Sequence, residues 1–217
     1  YSAERILGQY RRLAEAFPGF EVCYSFKANP NPAICLLLAE AGAGAEVSSA
    51  AELETALTAE YEPRNIVLVG PAKTDEELEV AVAADIAAVV CDSADDLRRV
   101  ESLCRETGRD RDVLLRVNTT EQPAAREKMV GGPSKFGFDE EELVREVAGA
   151  RLERAHVRGI QVYSGSQVLD PGFLAGHFDY VAGLATRLAA ELEVKFRLVD
   201  FGGGFGIPYA ADEPELD

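Results

Sequence analysis

The sequence predicts an α/β protein built on a parallel sheet. Three observations predict it. Short apolar strand-like runs alternate with helical patterns along all 217 residues. The runs are continuously apolar rather than alternating, as in strands covered on both faces. Seven strand-like runs can be counted, each after the first preceded by a helix. Seven such units fit a (β/α)8 barrel of the TIM type that lacks its last strand. An open doubly wound sheet is the alternative, but no Gly-x-Gly-x-x-Gly opens the first helix.

Taken in order, Ile6, Tyr10, Leu13 and Phe17 fall on one helical face. A strand from Phe20 to Phe26 follows and ends at Lys27, where Pro30 and Pro32 stop it. Ile34, Leu37, Leu38 and Ala41 mark the next helix, and 44–48 the second strand. Ser49-Ala50-Ala51-Glu52 reads as a capping box opening a third helix. Strand 66–70 precedes another capping box, Thr74-Asp75-Glu76-Glu77. Strand 86–91 precedes a helix capped by Ser93 and running to Thr107. Strand 112–118 leads into a polar loop, 119–137, and a sixth helix starts near Asp139. Strand 157–164, a helix carrying Leu174, Phe178, Val181, Ala185 and Leu188, and strand 196–201 complete the pattern. No linker, repeat or low-complexity stretch breaks it, so residues 1–217 read as one barrel domain. The chain begins at Tyr1 and its single methionine is Met129, so we expect part of a longer product.

Composition excludes some functions. The chain is 47% hydrophobic and 28% charged, ordinary for a globular domain. A net charge of −16 disfavours nucleic acid and anionic membranes as partners. The apolar runs are too short to span a bilayer. Acidic groups such as Asp75-Glu76-Glu77 and Asp139 to Glu142 read as solvated helix surface. Cys23, Cys35, Cys91 and Cys104 form no Cys-x-x-Cys pair and read as reduced thiols of a cytoplasmic protein. His156 and His177 have no metal-ligand spacing, so no metal is expected.

In a barrel the chemistry sits where the strands end. Those ends carry Lys27, Glu46, Ser48, Arg116, Asn118, Tyr163, Gly165, Ser166 and Gly202-Gly203-Gly204. A lysine ending a buried strand is costly unless it has a partner or a covalent role, and desolvation frees its amine as a nucleophile. A snorkelling lysine is the plainer alternative. The glycines follow the seventh strand, where backbone N–H groups can cradle a phosphate, although three glycines can equally be a flexible turn. An amine, a phosphate cradle and an aromatic ring at one mouth suit pyridoxal phosphate.

With these motifs in order, the sequence resembles the barrel domain of the fold-type III pyridoxal-phosphate decarboxylases. This group includes the diaminopimelate, ornithine and arginine decarboxylases, and its barrel is of the alanine racemase-like kind. The resemblance covers nearly the whole chain. It implies that Lys27, within Tyr24-Ser25-Phe26-Lys27-Ala28-Asn29, forms an imine with the cofactor. It places Glu46 where the family has aspartate, Glu52 at an active-site glutamate, and Arg116 near the cofactor. Gly70 to Thr74 is similar to the family's turn after the third strand, and Ser134-Lys135-Phe136-Gly137 matches another family motif. Ser166 and Gly202, Gly203 and Gly204 are implied to hold the phosphate. Tyr163 stands where the family stacks a histidine on the cofactor ring.

The loop 119–132 lacks the histidine and Thr-Gly pattern of diaminopimelate decarboxylases. Lys128 to Gly137 instead resembles a branch tied to natural-product and exopolysaccharide gene clusters. Some of that branch resemble decarboxylases of carrier-protein-tethered amino acids. The implied activity is amino-acid decarboxylation, with a small amino acid, free or carrier-bound, as substrate and a homodimer as the full-length form. The eighth strand and a C-terminal β domain are implied to lie beyond Asp217. An amino-acid racemase is a weaker alternative, because racemases continue the lysine motif into Tyr-Gly where this chain has Asn29-Pro30-Asn31-Pro32. A non-catalytic homologue is permitted by Tyr163 but opposed by Lys27 and the glycine run.

Overall fold

The computed structural model describes residues 1–120, 127–128, 134–213 and 215–216; of 127–128 only the backbone is described. The strands are β1 (Cys23–Ser25), β2 (Gly44–Val47), β3 (Ile66–Leu68), β4 (Ala88–Cys91), β5 (Arg111–Asn118), β6 (Glu127–Lys128), β7 (Phe138–Asp139), β8 (Ala155–Gln161), β9 (Gly165–Ser166) and β10 (Leu198–Asp200). The α-helices are α1 (Ala3–Ala16), α2 (Pro32–Glu40), α3 (Ala50–Thr58), α4 (Asp75–Ala84), α5 (Ala94–Thr107), α6 (Leu143–Gly149) and α7 (Pro171–Glu191). Seven strands pair in parallel in the order β1-β2-β3-β4-β5-β8-β10, which is chain order for the major runs. The result is a curled, incomplete barrel, as the alternation predicts.

Both faces of the sheet are apolar, which explains the unbroken hydrophobic runs. Ala45, Val47, Leu68, Val89, Leu115, Ile160 and Val162 point outward and pack with Leu53, Leu78, Leu97, Leu143 and Val181 of the helices. Val67, Val69, Ala88, Val90 and Leu114 form a separate inner cluster with Leu198. Strand period two then fixes the upper inner layer. Ser25 and Lys27, Glu46, Asp92, Arg116, Gln161 and Asp200 continue the inner face towards the strand ends. The mouth is therefore polar above an apolar base.

Several boundaries differ from the sequence reading. The first strand spans only Cys23–Ser25, although backbone bonds flank it from Gly44 N to Val22 O and from Phe26 N to Glu46 O. Phe20 instead packs edge-on against Phe17 and Phe201, because the sheet edge there offers an aromatic surface. The last strand is likewise confined to Leu198–Asp200. The sixth helix begins at Leu143, because Phe138–Asp139 pairs with β5 first. Thr74 and Glu77 form the expected capping box. Ser49 caps α3, but Glu52 does not return to the Ser49 backbone. Its carboxylate accepts from Ser48 N at 2.7 Å and Ser48 Oγ at 2.9 Å.

Among the described residues, β1 and β10 are the outer strands of the sheet. Between them opens a cleft of about 1120 Å³, lined by Cys23, Lys27, Tyr163, Asp200 and Gly203 and by the rings of Phe20, Phe178 and Phe205. No described helix is long and apolar enough to cross a membrane.

Candidate active site at the barrel mouth

The strand ends bring Lys27, Glu46 and Tyr163 together from three different strands. Ser25 and Glu46 pair in register across β1 and β2, and Ser25 Oγ donates to Glu46 Oε1 at 2.7 Å. The same oxygen lies 3.6 Å from Lys27 Nζ. The Lys27 ammonium also sits 4.8 Å from the centroid of the Tyr163 ring. The lysine side chain is 54% exposed, closer to the snorkelling lysine of the plainer reading than to a desolvated amine. The side chain faces an open cleft and a counter-ion.

Tyr163 is tied down at its other end, where its hydroxyl and Ser166 Oγ share a hydrogen bond at 2.5 Å. The segment after β8 and the glycine loop after β10 are stitched together. Val168 N donates to Gly204 O at 2.9 Å, and Gly206 N donates to Val168 O at 2.8 Å. Two of the three glycines are demanded by this packing. A Cβ on Gly202 would lie 2.4 Å from Val162 O, and one on Gly204 would lie 2.0 Å from Gly165 O. Both also hold positive φ, +70° and +91°. Gly203 is different: a Cβ there meets nothing within 4 Å. Its side faces the cleft, so packing does not require glycine there. A backbone left bare toward a cleft is what close approach of a ligand requires.

Arg116 is brought to the same mouth but is held from the side. Its Nη1 lies 3.5 Å from Asp92 Oδ1, and its guanidinium stands 4.7 Å from the Phe136 ring. Phe136 belongs to the Ser134-Lys135-Phe136-Gly137 motif. Gly137, at φ +83°, lets that segment approach the Arg116 backbone, where a Cβ would sit 2.7 Å from Arg116 O. Residues 129–133, including Met129, lie outside the described residues.

Sequence reasoning missed three things. The first is Asp200, half-buried beside Glu46. Burial, then the Glu46 charge, pushes its carboxyl up to about 6, against the Gly202 N–H, Arg116 and Lys27. It ends an apolar strand immediately before the glycines, so a strict reading of strand ends would have found it. The second is Gln161, buried one strand away. The third is a buried ion cluster. Lys73 Nζ lies 3.2 Å from Asp92 Oδ2 and 3.1 Å from Asp96 Oδ2, and donates to Gly70 O at 2.5 Å. Nothing local signals it, because Asp92 and Asp96 look like part of a helix cap. The four cysteines are free thiols, as expected. Among the described residues no group of three metal-ligating side chains exists. His177 instead shares a hydrogen bond with Ser164 at 3.2 Å.

A strand-end lysine beside a carboxylate and a ring, lining one cleft with a bare glycine loop, suits a carbonyl cofactor bearing a phosphate. Comparison with known proteins carries this further. Residues 3–217 match the model of the family "Pyridoxal-dependent decarboxylase, pyridoxal binding domain", and the chain belongs to that family. Membership identifies pyridoxal phosphate as the cofactor, in agreement with the bare Gly203.

The chain is 32% identical to the L-glutamyl-[BtrI acyl-carrier protein] decarboxylase of Niallia circulans, over 100% of this chain and 51% of that protein. It is 33% identical to the diaminopimelate decarboxylase of Aquifex aeolicus, over 99% of this chain and 52% of that protein. The crystal structure of Helicobacter pylori diaminopimelate decarboxylase complexed with L-lysine superposes with a TM-score of 0.89 at 28% identity. The match covers 98% of this chain and 55% of that one. The chain thus spans about half the length of the relatives it matches.

Proposed function

We propose that the full-length product is a pyridoxal-phosphate-dependent amino-acid decarboxylase of the diaminopimelate and ornithine type. The observation that carries this reading is the meeting of Lys27, Glu46 and Tyr163 in the cleft that Gly203 also lines. When bound, the cofactor supplies an electron sink for the bond broken at the substrate's α-carbon. Lys27 is the amine that would hold the cofactor covalently, and its 54% exposure leaves it accessible from the cleft. Glu46, held by Ser25, keeps a proton acceptor 3.6 Å from that amine. Tyr163 offers its ring as a wall, and its bond to Ser166 fixes the ring plane. The backbone N–H groups at Gly203 and Gly204, with Ser166, would hold the phosphate. Arg116 adds positive charge to the mouth.

Borohydride reduction of the full-length protein with pyridoxal phosphate tests the lysine. A stable adduct maps to Lys27 and disappears in Lys27→Ala; an adduct that persists in this variant would refute the assignment. A second reading concerns the substrate. The similarity to a decarboxylase whose named substrate is glutamyl on an acyl-carrier protein favours a tethered amino acid. Carbon dioxide release from carrier-bound glutamate, with none from free diaminopimelate, ornithine, lysine or arginine, establishes that reading. Release from one free amino acid sinks it.

A further inference from the structure

Three polar side chains lie side by side on the inner face, one strand apart. Arg116 on β5 pairs in register with Gln161 on β8, and Gln161 pairs with Asp200 on β10. Leu114 and Leu198, two residues earlier on the outer two of these strands, pack in the inner apolar cluster. Strand periodicity therefore sets Arg116 and Asp200 on the inner face, with Gln161 between them.

Gln161 is only 3% exposed, and its Oε1 has no hydrogen-bond partner among the described residues. A buried amide oxygen of this kind is costly unless something donates to it. Arg116, on one side, directs its Nη1 to Asp92 instead. Asp200, on the other, uses Oδ1 to accept the Gly202 N–H at 2.8 Å. This ties the row to the glycine loop. Glu46 on β2, Cys23 on β1, Lys27 beyond β1 and Arg116 on β5 are the ionisable groups acting on Asp200. The Cys23 thiol is pushed up to about 12 by burial and by the Asp200 and Glu46 charges, so it stays neutral and adds no charge. Burial and Glu46 together favour the neutral form of Asp200, whose carboxyl is pushed up to about 6. A neutral carboxyl has an O–H to donate to the unpartnered Gln161 Oε1.

We propose that Asp200 and Gln161 form a proton-holding pair in the floor of the site. Neutral Asp200 donates its O–H to Gln161 Oε1 while its other oxygen keeps the Gly202 N–H. Loss of that proton places a negative charge three residues before Gly203 and weakens the loop's hold on a phosphate. The second half of this inference rests on the reading of the glycine loop as the phosphate cradle; the first half does not.

The test uses the full-length, cofactor-free protein with ¹³C-labelled aspartate carboxyls, the Asp200 signal being assigned by its loss in Asp200→Asn. Asp200 titrates well above the ordinary aspartate range, and Gln161→Met lowers its midpoint, because an acceptor for the neutral form has gone. An Asp200 midpoint in the ordinary range, or one that Gln161→Met leaves in place, overturns the pairing.

Pyridoxal phosphate affinity is then measured across the same pH range. A phosphate monoester itself titrates near 6, equally in both proteins, so the difference between wild type and Asp200→Asn isolates the carboxyl. Between pH 5 and 7 wild type loses about tenfold more affinity than Asp200→Asn. Equal losses overturn the link to phosphate. If Asp200 titrates as stated but no cofactor binds at any pH, the cofactor reading fails and the pairing stands.

Discussion

Two lysines at the same end of the barrel each meet carboxylates, and they end in opposite states. Lys73 is sealed, with its side chain 2% exposed between Asp92 and Asp96. Arg116 closes the group on the far side of Asp92, giving two cations and two anions. Arg99 adds a further contact to Asp96 at 3.5 Å. Lys27 meets Glu46 at 3.6 Å and lies within the electrostatic reach of Asp200, but stands more than half exposed at a cleft. The residue types are the same. What separates them is that Lys73, Arg116, Asp92 and Asp96 are matched and dry, whereas the second cluster is left open on one side. A closed cluster fixes the loop after β3 against β4 and β5. An open one keeps an amine available for chemistry.

Exchanging each lysine for methionine breaks the comparison most severely. Lys73→Met leaves two buried carboxylates with one cation fewer, and costs about 3–5 kcal/mol of stability. Lys27→Met removes a solvent-facing charge and changes stability by about 0.5 kcal/mol or less, while abolishing the borohydride-reducible adduct. Urea unfolding of the two variants of the full-length protein measures both. Equal destabilisation would mean that the Lys27 site is as closed as the Lys73 site, contrary to its exposure.

A carboxylate at the opposite end of the barrel sharpens the contrast with Asp200. Glu101 on α5 is 5% exposed, and its Oε2 accepts the backbone N–H groups of Glu153, Arg154 and Ala155 where β8 begins. Burial acts to raise its carboxyl, but these three bonds and that from Arg105 prevail and hold it at about 2. Its folded value lies below the unfolded one, so its contribution is present above the ordinary glutamate range, near 4.3, and is lost as pH falls toward 2. Asp200 runs the other way. Its folded value is raised, so its contribution is complete below about pH 3.9 and declines as pH rises through about 6. Glu101→Gln therefore costs about 1–2 kcal/mol at pH 7 and much less at pH 3. A loss independent of pH would show that the Glu101 charge is not what anchors β8.

The same contrast explains what could be read from sequence. The strand-helix rhythm, the Thr74 capping box and the Ser93 cap are local, and the structure contains them. The residues of the open site sit at strand ends beside recognisable motifs, so Lys27, Glu46, Tyr163 and the glycine run could be named in advance. The closed cluster could not, because Lys73 meets Asp92 and Asp96 across 19 and 23 residues of chain. Phe20 was read as strand for a similar reason. It is apolar because it packs on Phe17 and Phe201, a contact that only the folded barrel edge supplies. Glu52 had a local explanation that proved half right, since Ser48 rather than Ser49 takes its carboxylate. Asp200 and Gln161 need the register of three strands before they become neighbours.

The smallest expected effect is also the most specific to the open site. Tyr163→Phe keeps the ring but removes the hydroxyl shared with Ser166 at 2.5 Å. Tyr163 is only half-buried, so the lost bond costs about 1 kcal/mol or less, and Ser166 can turn to water instead. The cation–π contact with Lys27 depends on the ring face, which phenylalanine retains. Adduct formation at Lys27 should therefore persist, while pyridoxal phosphate binds a few-fold more weakly because Ser166 is no longer held in place. Pyridoxal lacking the phosphate should bind equally to both proteins. A loss of affinity shared by both ligands would place the effect of the hydroxyl on the ring wall rather than on the phosphate loop.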